Sequence, residues 1–429
     1  MKMQKVLIGM VIMFVSVSTL AANPTISDVK VQQRWPWSRL VDIDYVLTCA
    51  PGESVDIVVE AYNAFQRLNL PDVSLSGDLF GVMRGARRIV WDPTVTTYTD
   101  NGVLPELRIG LTPIRPPLYM IVDLTQSEGE AGQTEYVYES ALTNGDWGTW
   151  VRNPVTNDGT AVQSVVWTGV TNDMYKTDKL VLRRVSEEMF DMWDTPTTLT
   201  KGFYASVFQV TQRQWELITG GERPSNYNHP DYYAARPVET VTYDAIRGAT
   251  NSVPVIDWPE TGALVEPTSF VGLLQAKTGL SFDLPTEAQW EYVCRAGTTT
   301  VFNDGDVSAN VDGTNADANA WLDKLGRYRF NGGLVDEGGV LKVAPRNSGP
   351  EYGTAIVGSY LPNALGLYDT HGNVYEWCRD WSGSSQSART RRGGCWGAGA
   401  SSATWEFRGS HEPSYTTYLV GFRLVRDLP

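Results

Sequence analysis

Residues 366–377 read GLYDTHGNVYEW. How this stretch is read decides what the chain folds into. From Asp369 to Trp377 it places a carboxylate, a histidine, a glycine, an asparagine and a glutamate in succession, closed by aromatic residues. Three readings compete: a catalytic histidine loop, a metal loop, and a tight turn inside a core. Asp369 and Glu376 offer hard carboxylate oxygens, and Gly372 permits a turn sharp enough for nearby carbonyls to converge. Calcium takes six to eight such oxygens, although the spacing is not that of an EF-hand. The competing reading is a metal-free turn pinned by hydrogen bonds of Asn373 and plugged by Trp377.

Moving outward, two helix starts can be read. In TQRQWELITGG, Thr211 is an N-cap with Gln214 three residues on, and Gly220 is the stop. LPTEAQWEYVCRAG repeats the pattern with Thr286, Gln289 and Gly297, and sets Trp290, Val293 and Cys294 on one core-facing side. KLVLRRV, from Lys179, predicts a strand. The segment from Asn303 to the end is rich in turns. This half is expected to be α+β with much irregular structure.

Five stretches in this half occur in one order: VTQRQWE, LPTEAQWEYVCRAGT, GLYDTHGNVYEW, RRGGCW and GFRLV. Together they resemble the sulfatase-modifying-factor family, or formylglycine-generating-enzyme domain, over residues 178–429. The resemblance implies a variant of the C-type lectin fold. It also implies a range of activities. Some members use copper to oxidise a sulfatase cysteine to formylglycine, others are iron-dependent sulfoxide synthases, and the scaffold also serves as a binding module. Fold alone therefore does not decide function.

The resemblance further implies a structural calcium in the opening turn. Its ligands would be the side chain at Asp369, the carbonyls of Gly372 and Val374, and the carboxylate of Glu376. A second family calcium site would draw on TNADANAWLDK, which offers Asn315, Asp317, Asn319 and Asp323, but the surrounding segment departs from the copper members. Arg392 and Arg423 are expected as buried structural ion pairs rather than substrate clamps.

Copper chemistry in this family needs two cysteines after an R-G-G-S motif, because Cu(I) prefers thiolate ligands. Here Cys395 stands at the serine position and no cysteine follows it. A bis-thiolate copper site is therefore not expected. The chain has three histidines, His229, His371 and His411, and nothing in their spacing brings them together as iron ligands. Cys395 admits three readings: a nucleophile with His411 as base, a packed thiol, or a disulfide to Cys378. Cys294 is expected to be buried and inert, with Cys49 in the other domain.

The opening residues set the compartment. Lys2 and Lys5 precede an apolar run from Val6 to Val17, and small residues end at Ala21 and Ala22. Residues 1–22 thus read as a secretory signal peptide, too short in its apolar run for a span of roughly 20 residues. The mature chain is expected to be secreted or periplasmic, with no membrane span. Four cysteines, none in a C-x-x-C pair, argue against a disulfide scaffold and a zinc ribbon. The net charge of -14 and the absence of a basic block set nucleic acid aside.

Residues 23–125 read as an immunoglobulin-like β-sandwich. VDIDYVL alternates apolar and polar positions, SVDIVVEAY, RRIVWDP and PPLYMIVDLT add strands, and APGES and TDNG mark turns. Trp35-Pro36-Trp37 is expected to plug one end. Residues 126–177 read as a connector with one or two strands. The whole suggests an exported binding or structural module for a peptide or glycan. The alternatives are a formylglycine-generating or other metal-dependent oxidase acting on exported sulfatases, and a surface or matrix protein targeted by its sandwich.

Overall fold

The computed structural model describes residues 23–428 apart from 35–36, 65, 69, 71–73, 96–105, 131, 138–149, 153–164, 168–171, 187, 193–194, 200, 222, 249–264, 305–318, 337–340 and 344–351. The expected signal peptide, Trp35, Pro36, Asn315, Asp317 and much of the connector lie outside the described residues. No helix among the described residues is long and apolar enough to cross a membrane.

The N-terminal module is built from two antiparallel sheets. One runs in the order Thr25–Gln33, Val41–Thr48, Gly85–Trp91, Leu75–Gly77. In the other, Ser54–Asn63 pairs with Leu107–Ile114, Gln66–Leu68 and Val82–Met83. The alternation read from VDIDYVL is physical. Val41, Ile43, Tyr45 and Leu47 are buried against Val55, Ile57 and Ala61, while Asp42 and Asp44 turn outward. A side-chain period of two on a half-buried sheet produces this pattern. The outward acids pair with Arg34 and Arg88. Trp91 fills the core with no exposure, whereas Trp37 is 92% exposed. Trp37 is therefore no plug; the bulky core filler comes from a strand interior instead.

The second domain is mixed α/β. Its main sheet has the order Thr134–Val137, Tyr119–Asp123, Lys179–Val185, Phe203–Ser206, Val425–Asp427, Phe282–Asp283. The strand in PPLYMIVDLT thus belongs to this sheet, paired antiparallel with Lys179–Val185, and not to the sandwich. Among its described residues the connector supplies Thr134–Val137 to that sheet and pairs Trp150–Arg152 with Val165–Trp167. A second sheet orders Gly409–His411, Arg389–Arg392, Tyr375–Trp381 and Val420–Gly421.

Both capping boxes are present, at Thr211 with Gln214 and at Thr286 with Gln289. They satisfy amides that the first turn of a helix leaves unpaired. Helix Gln212–Thr219 ends on the left-handed Gly220 as expected. Helix Glu287–Arg295 ends one residue earlier than expected, on the left-handed Ala296, with Gly297 following at positive φ. Trp290, Val293 and Cys294 are buried. The two modules meet through the part-buried Arg184–Asp56 ion pair, whose second bond is 3.0 Å, and through Phe80, which packs on both cores.

Candidate functional site

The turn at 369–376 is held open by backbone conformations that few residues adopt. Asp369 and Asn373 have φ of 56° and 63°, and Gly372 has 89°. A Cβ on Gly372 would lie 2.2 Å from the Arg327 carbonyl oxygen, so only glycine fits there. Asn373 locks the turn: its N–H donates to the Arg327 carbonyl at 2.7 Å, and its Oδ1 accepts the Ala355 N–H at 2.9 Å. Trp377 is fully buried, and its Nε1–H donates to the Val241 carbonyl. The result is convergence of the carbonyls of Asp369, Gly372 and Val374 on one point.

That point carries the side-chain nitrogen of Gln209. Its Nε2 lies 3.2 Å from the Asp369 carbonyl oxygen, 3.3 Å from that of Gly372 and 3.0 Å from that of Val374. The fourth neighbour is Glu376 Oε1 at 2.9 Å. Gln209 is itself fully buried. Sequence reading missed this residue. It lies 160 positions before Asp369, in a stretch whose local signals concern the next helix cap.

Glu376 has no spare lone pair. Its Oε1 also accepts from Arg423 Nη2 at 2.9 Å, and Oε2 accepts from Arg423 Nε at 3.0 Å and Trp290 Nε1 at 2.7 Å. The expected ligand set is thus gathered in one place, with one correction. Asp369 contributes its backbone carbonyl, because its carboxylate turns away and accepts the Gly358 N–H at 2.7 Å. Burial, only partly offset by that hydrogen bond, pushes the Asp369 carboxyl up to about 6. Its Oδ1 has no hydrogen-bond partner among the described residues.

Calcium needs six to eight oxygens at about 2.3–2.6 Å. The ring supplies four, one of them shared with a guanidinium, and an amide nitrogen fills its centre. With Gln209 so placed, these residues do not fit the ion. At the second expected site, Asn319 Oδ1 caps the Trp321 and Leu322 amides, and Asp323 accepts the Tyr328 hydroxyl at 2.9 Å.

All four cysteines are buried and free. The expected Cys378–Cys395 disulfide is not formed, since each thiol packs in a different apolar cluster. Burial pushes the Cys395 thiol up to about 12 despite backbone hydrogen bonds from Gly397 and Ala398. Such a thiol is a poor nucleophile at neutral pH. Cys294 is likewise pushed up to about 12 by burial. Beyond Cys395, Ala400 and Ala403 sit in a short 3₁₀ turn packed on Phe302, Leu322, Leu325 and Tyr328. Arg392 is fully buried and pairs with Glu291 at 2.8 Å and Glu287 at 3.3 Å. It is a structural tie, like Arg423.

Each histidine has its own surroundings. His371 is buried, with Nδ1 at 2.7 Å from the Ala403 carbonyl and Nε2 accepting the Asn303 N–H at 3.1 Å. One nitrogen must donate and the other must accept, which fixes a neutral ring. Burial brings its pKa down to about 4. His229 stacks on Tyr232 at 4.4 Å, and His411 stacks on Tyr415 at 3.7 Å.

One largely buried cluster packs rings against guanidiniums, with Arg236, Tyr227 and Trp396 in its interior. Arg236 lies 4.7 Å from the ring of Tyr232 and 5.9 Å from that of Tyr227. Tyr227 meets Trp396 edge-on at 4.9 Å, and Trp396 packs on Tyr418 at 5.7 Å. Arg327 sits over Tyr360 at 5.9 Å. Burial, with the charge of Arg327 adding to it, brings Arg236 down to about 10. Tyr232, Tyr360 and Tyr418 are half-buried, so their outer edges face solvent.

The family model for the sulfatase-modifying factor enzyme 1-like domain matches residues 160–428. Chaperone protein LppX of Paenibacillus barcinonensis is 29% identical over 242 residues, covering 52% of this chain and 80% of LppX. The formylglycine-generating enzyme of Streptomyces coelicolor is 32% identical over 165 residues, covering 34% of this chain and 46% of that enzyme. The match thus spans less than half of that relative. Treponema denticola variable protein 1 aligns with a TM-score of 0.41 at 21% identity, covering 58% of this chain and 95% of that one.

Proposed function

Because the chain belongs to the sulfatase-modifying factor enzyme 1-like family, we propose that it is an exported member that binds a peptide or glycan, or serves as a structural module. In this reading it lacks the copper-dependent cysteine oxidation of formylglycine-generating members. One observation carries it. No cysteine follows Cys395, and the described residues from 396 to 403 put alanines into an apolar cluster. Without two thiolates, this segment has nothing soft to hold Cu(I). Cys395, Cys378 and Cys294 are buried with raised thiol pKa values, which does not suit them to replace the pair.

The half-buried rings of Tyr232, Tyr360 and Tyr418 are where a ligand would bind. Aromatic rings that are partly open to solvent suit a sugar ring or the side chains of an extended peptide. The rival is formylglycine generation with other ligands, and the similarity to formylglycine-generating enzymes favours it. A Cu(I) titration under reducing conditions, against a colorimetric chelator, separates the two. The binding reading expects the chelator to keep the copper. Stoichiometric capture of Cu(I) by the folded chain would favour the enzyme. A glycan and peptide array, repeated with Tyr232→Ala, locates the ligand face.

A further inference from the structure

We propose that the side-chain amide of Gln209 stands where a calcium ion would stand, so that the 369–376 turn is complete without a metal. A cation in such a turn has two tasks. It gives convergent carbonyls a positive partner, and it offsets the nearby carboxylate. Here two different residues perform them.

Gln209 performs the first. Its Nε2 is 2.9–3.3 Å from the Asp369, Gly372 and Val374 carbonyl oxygens and Glu376 Oε1. These are N–H···O distances, longer than calcium–oxygen bonds of about 2.3–2.6 Å. The ring therefore has the width an amide sets. An amide nitrogen has two hydrogens, and four acceptors share them. The orientation follows from charge. With the amide reversed, Oε1 would join four other acceptors and find no donor. As placed, Oε1 is the atom without a partner among the described residues, one orphan acceptor in exchange for two hydrogens set among four acceptors.

Arg423 performs the second task. It meets both oxygens of Glu376 and spends its other donors on the Ser206, Val207 and Tyr368 carbonyls. The Arg423–Glu376 pair is already neutral. A neutral donor suffices at the ring centre, because Arg423 already offsets the Glu376 charge that a cation would otherwise meet.

The test uses the full mature chain, purified and dialysed with and without calcium, read by elemental analysis and thermal melting. The wild type is expected to hold no stoichiometric calcium and to melt at the same midpoint in chelator and in calcium. Gln209→Glu keeps the size but replaces the donor with an anionic acceptor, so the ring then needs a cation. Its midpoint is expected to fall in chelator, recover with calcium and not with magnesium, and bring one calcium per chain. Wild-type chain that retains one calcium and loses stability in chelator would overturn the proposal. So would a folded Gln209→Glu whose melt ignores calcium. If Gln209→Glu does not fold, the wild-type metal content and melts decide alone.

Discussion

Arg423 and Glu376 meet as a two-bond ion pair with neither side chain exposed: Nη2 donates to Oε1 at 2.9 Å and Nε to Oε2 at 3.0 Å. The pair joins the strand Tyr375–Trp381 to the C-terminal segment at the centre of the second domain. Removing one partner of such a pair strands a charge in the interior. Arg423→Met is expected to cost about 3–5 kcal/mol, measured by urea denaturation. Arg423→Met with Glu376→Gln is expected to recover part of that loss, because the stranded charge is gone. Equal loss in the single and double variants would contradict this.

His371 makes the domain acid-sensitive. Its folded pKa is about 4, below the ordinary 6.5, because burial disfavours the charged ring. The unfolded chain therefore takes up the proton first as pH falls. The stability contributed by the neutral ring is complete above pH 6.5 and is lost as pH falls through about 4. The full loss is about 3 kcal/mol. His371→Gln should be less stable than wild type at neutral pH, with the gap narrowing between pH 6.5 and 4. A constant gap across that window would show that the ring does not titrate with folding.

The thiols give a chemical readout. In the native chain, Cys49, Cys294, Cys378 and Cys395 should resist alkylation, because all are buried. After denaturation without reductant, all four should react, since none is bridged. Two unreactive thiols after denaturation would reveal a disulfide.

The helix cap at Thr286 is expected to contribute about 1 kcal/mol, lost in Thr286→Ala. Gln289→Ala should cost more than Thr286→Ala. The Gln289 side chain accepts the Thr286 N–H at 2.9 Å and also donates to Asp427 Oδ1 at 2.5 Å. Thermal or urea unfolding of the two variants checks the order.

Much of this architecture was legible in the residues, and for local reasons. The alternation from Val41 to Leu47 needs only one buried sheet face, and the boxes at Thr211 and Thr286 bond within three residues. The burial of Arg392 and Arg423 was also readable, but not their partners. What escaped was set by distance along the chain. The strand Tyr119–Asp123 has the same apolar pattern whichever sheet it joins, and its partner Lys179–Val185 lies beyond the connector. Which oxygen of Asp369 faces inward depends on its left-handed backbone and on the amide of Gly358. Gln209 reaches the turn from the loop after the strand Phe203–Ser206, so no local spacing announces it. Trp37, expected to plug the sandwich with Trp35, lies at the surface, and the strand residue Trp91 fills the core.

The proposed function excludes copper-dependent cysteine oxidation by this chain. The direct measurement is turnover of a sulfatase-motif peptide by the purified chain, with copper, oxygen and thiol reductant supplied, followed by mass spectrometry. The peptide cysteine is expected to stay intact, with no more conversion than in a no-protein control. Accumulation of the aldehyde product with enzyme concentration, at more than trace rate, would contradict it.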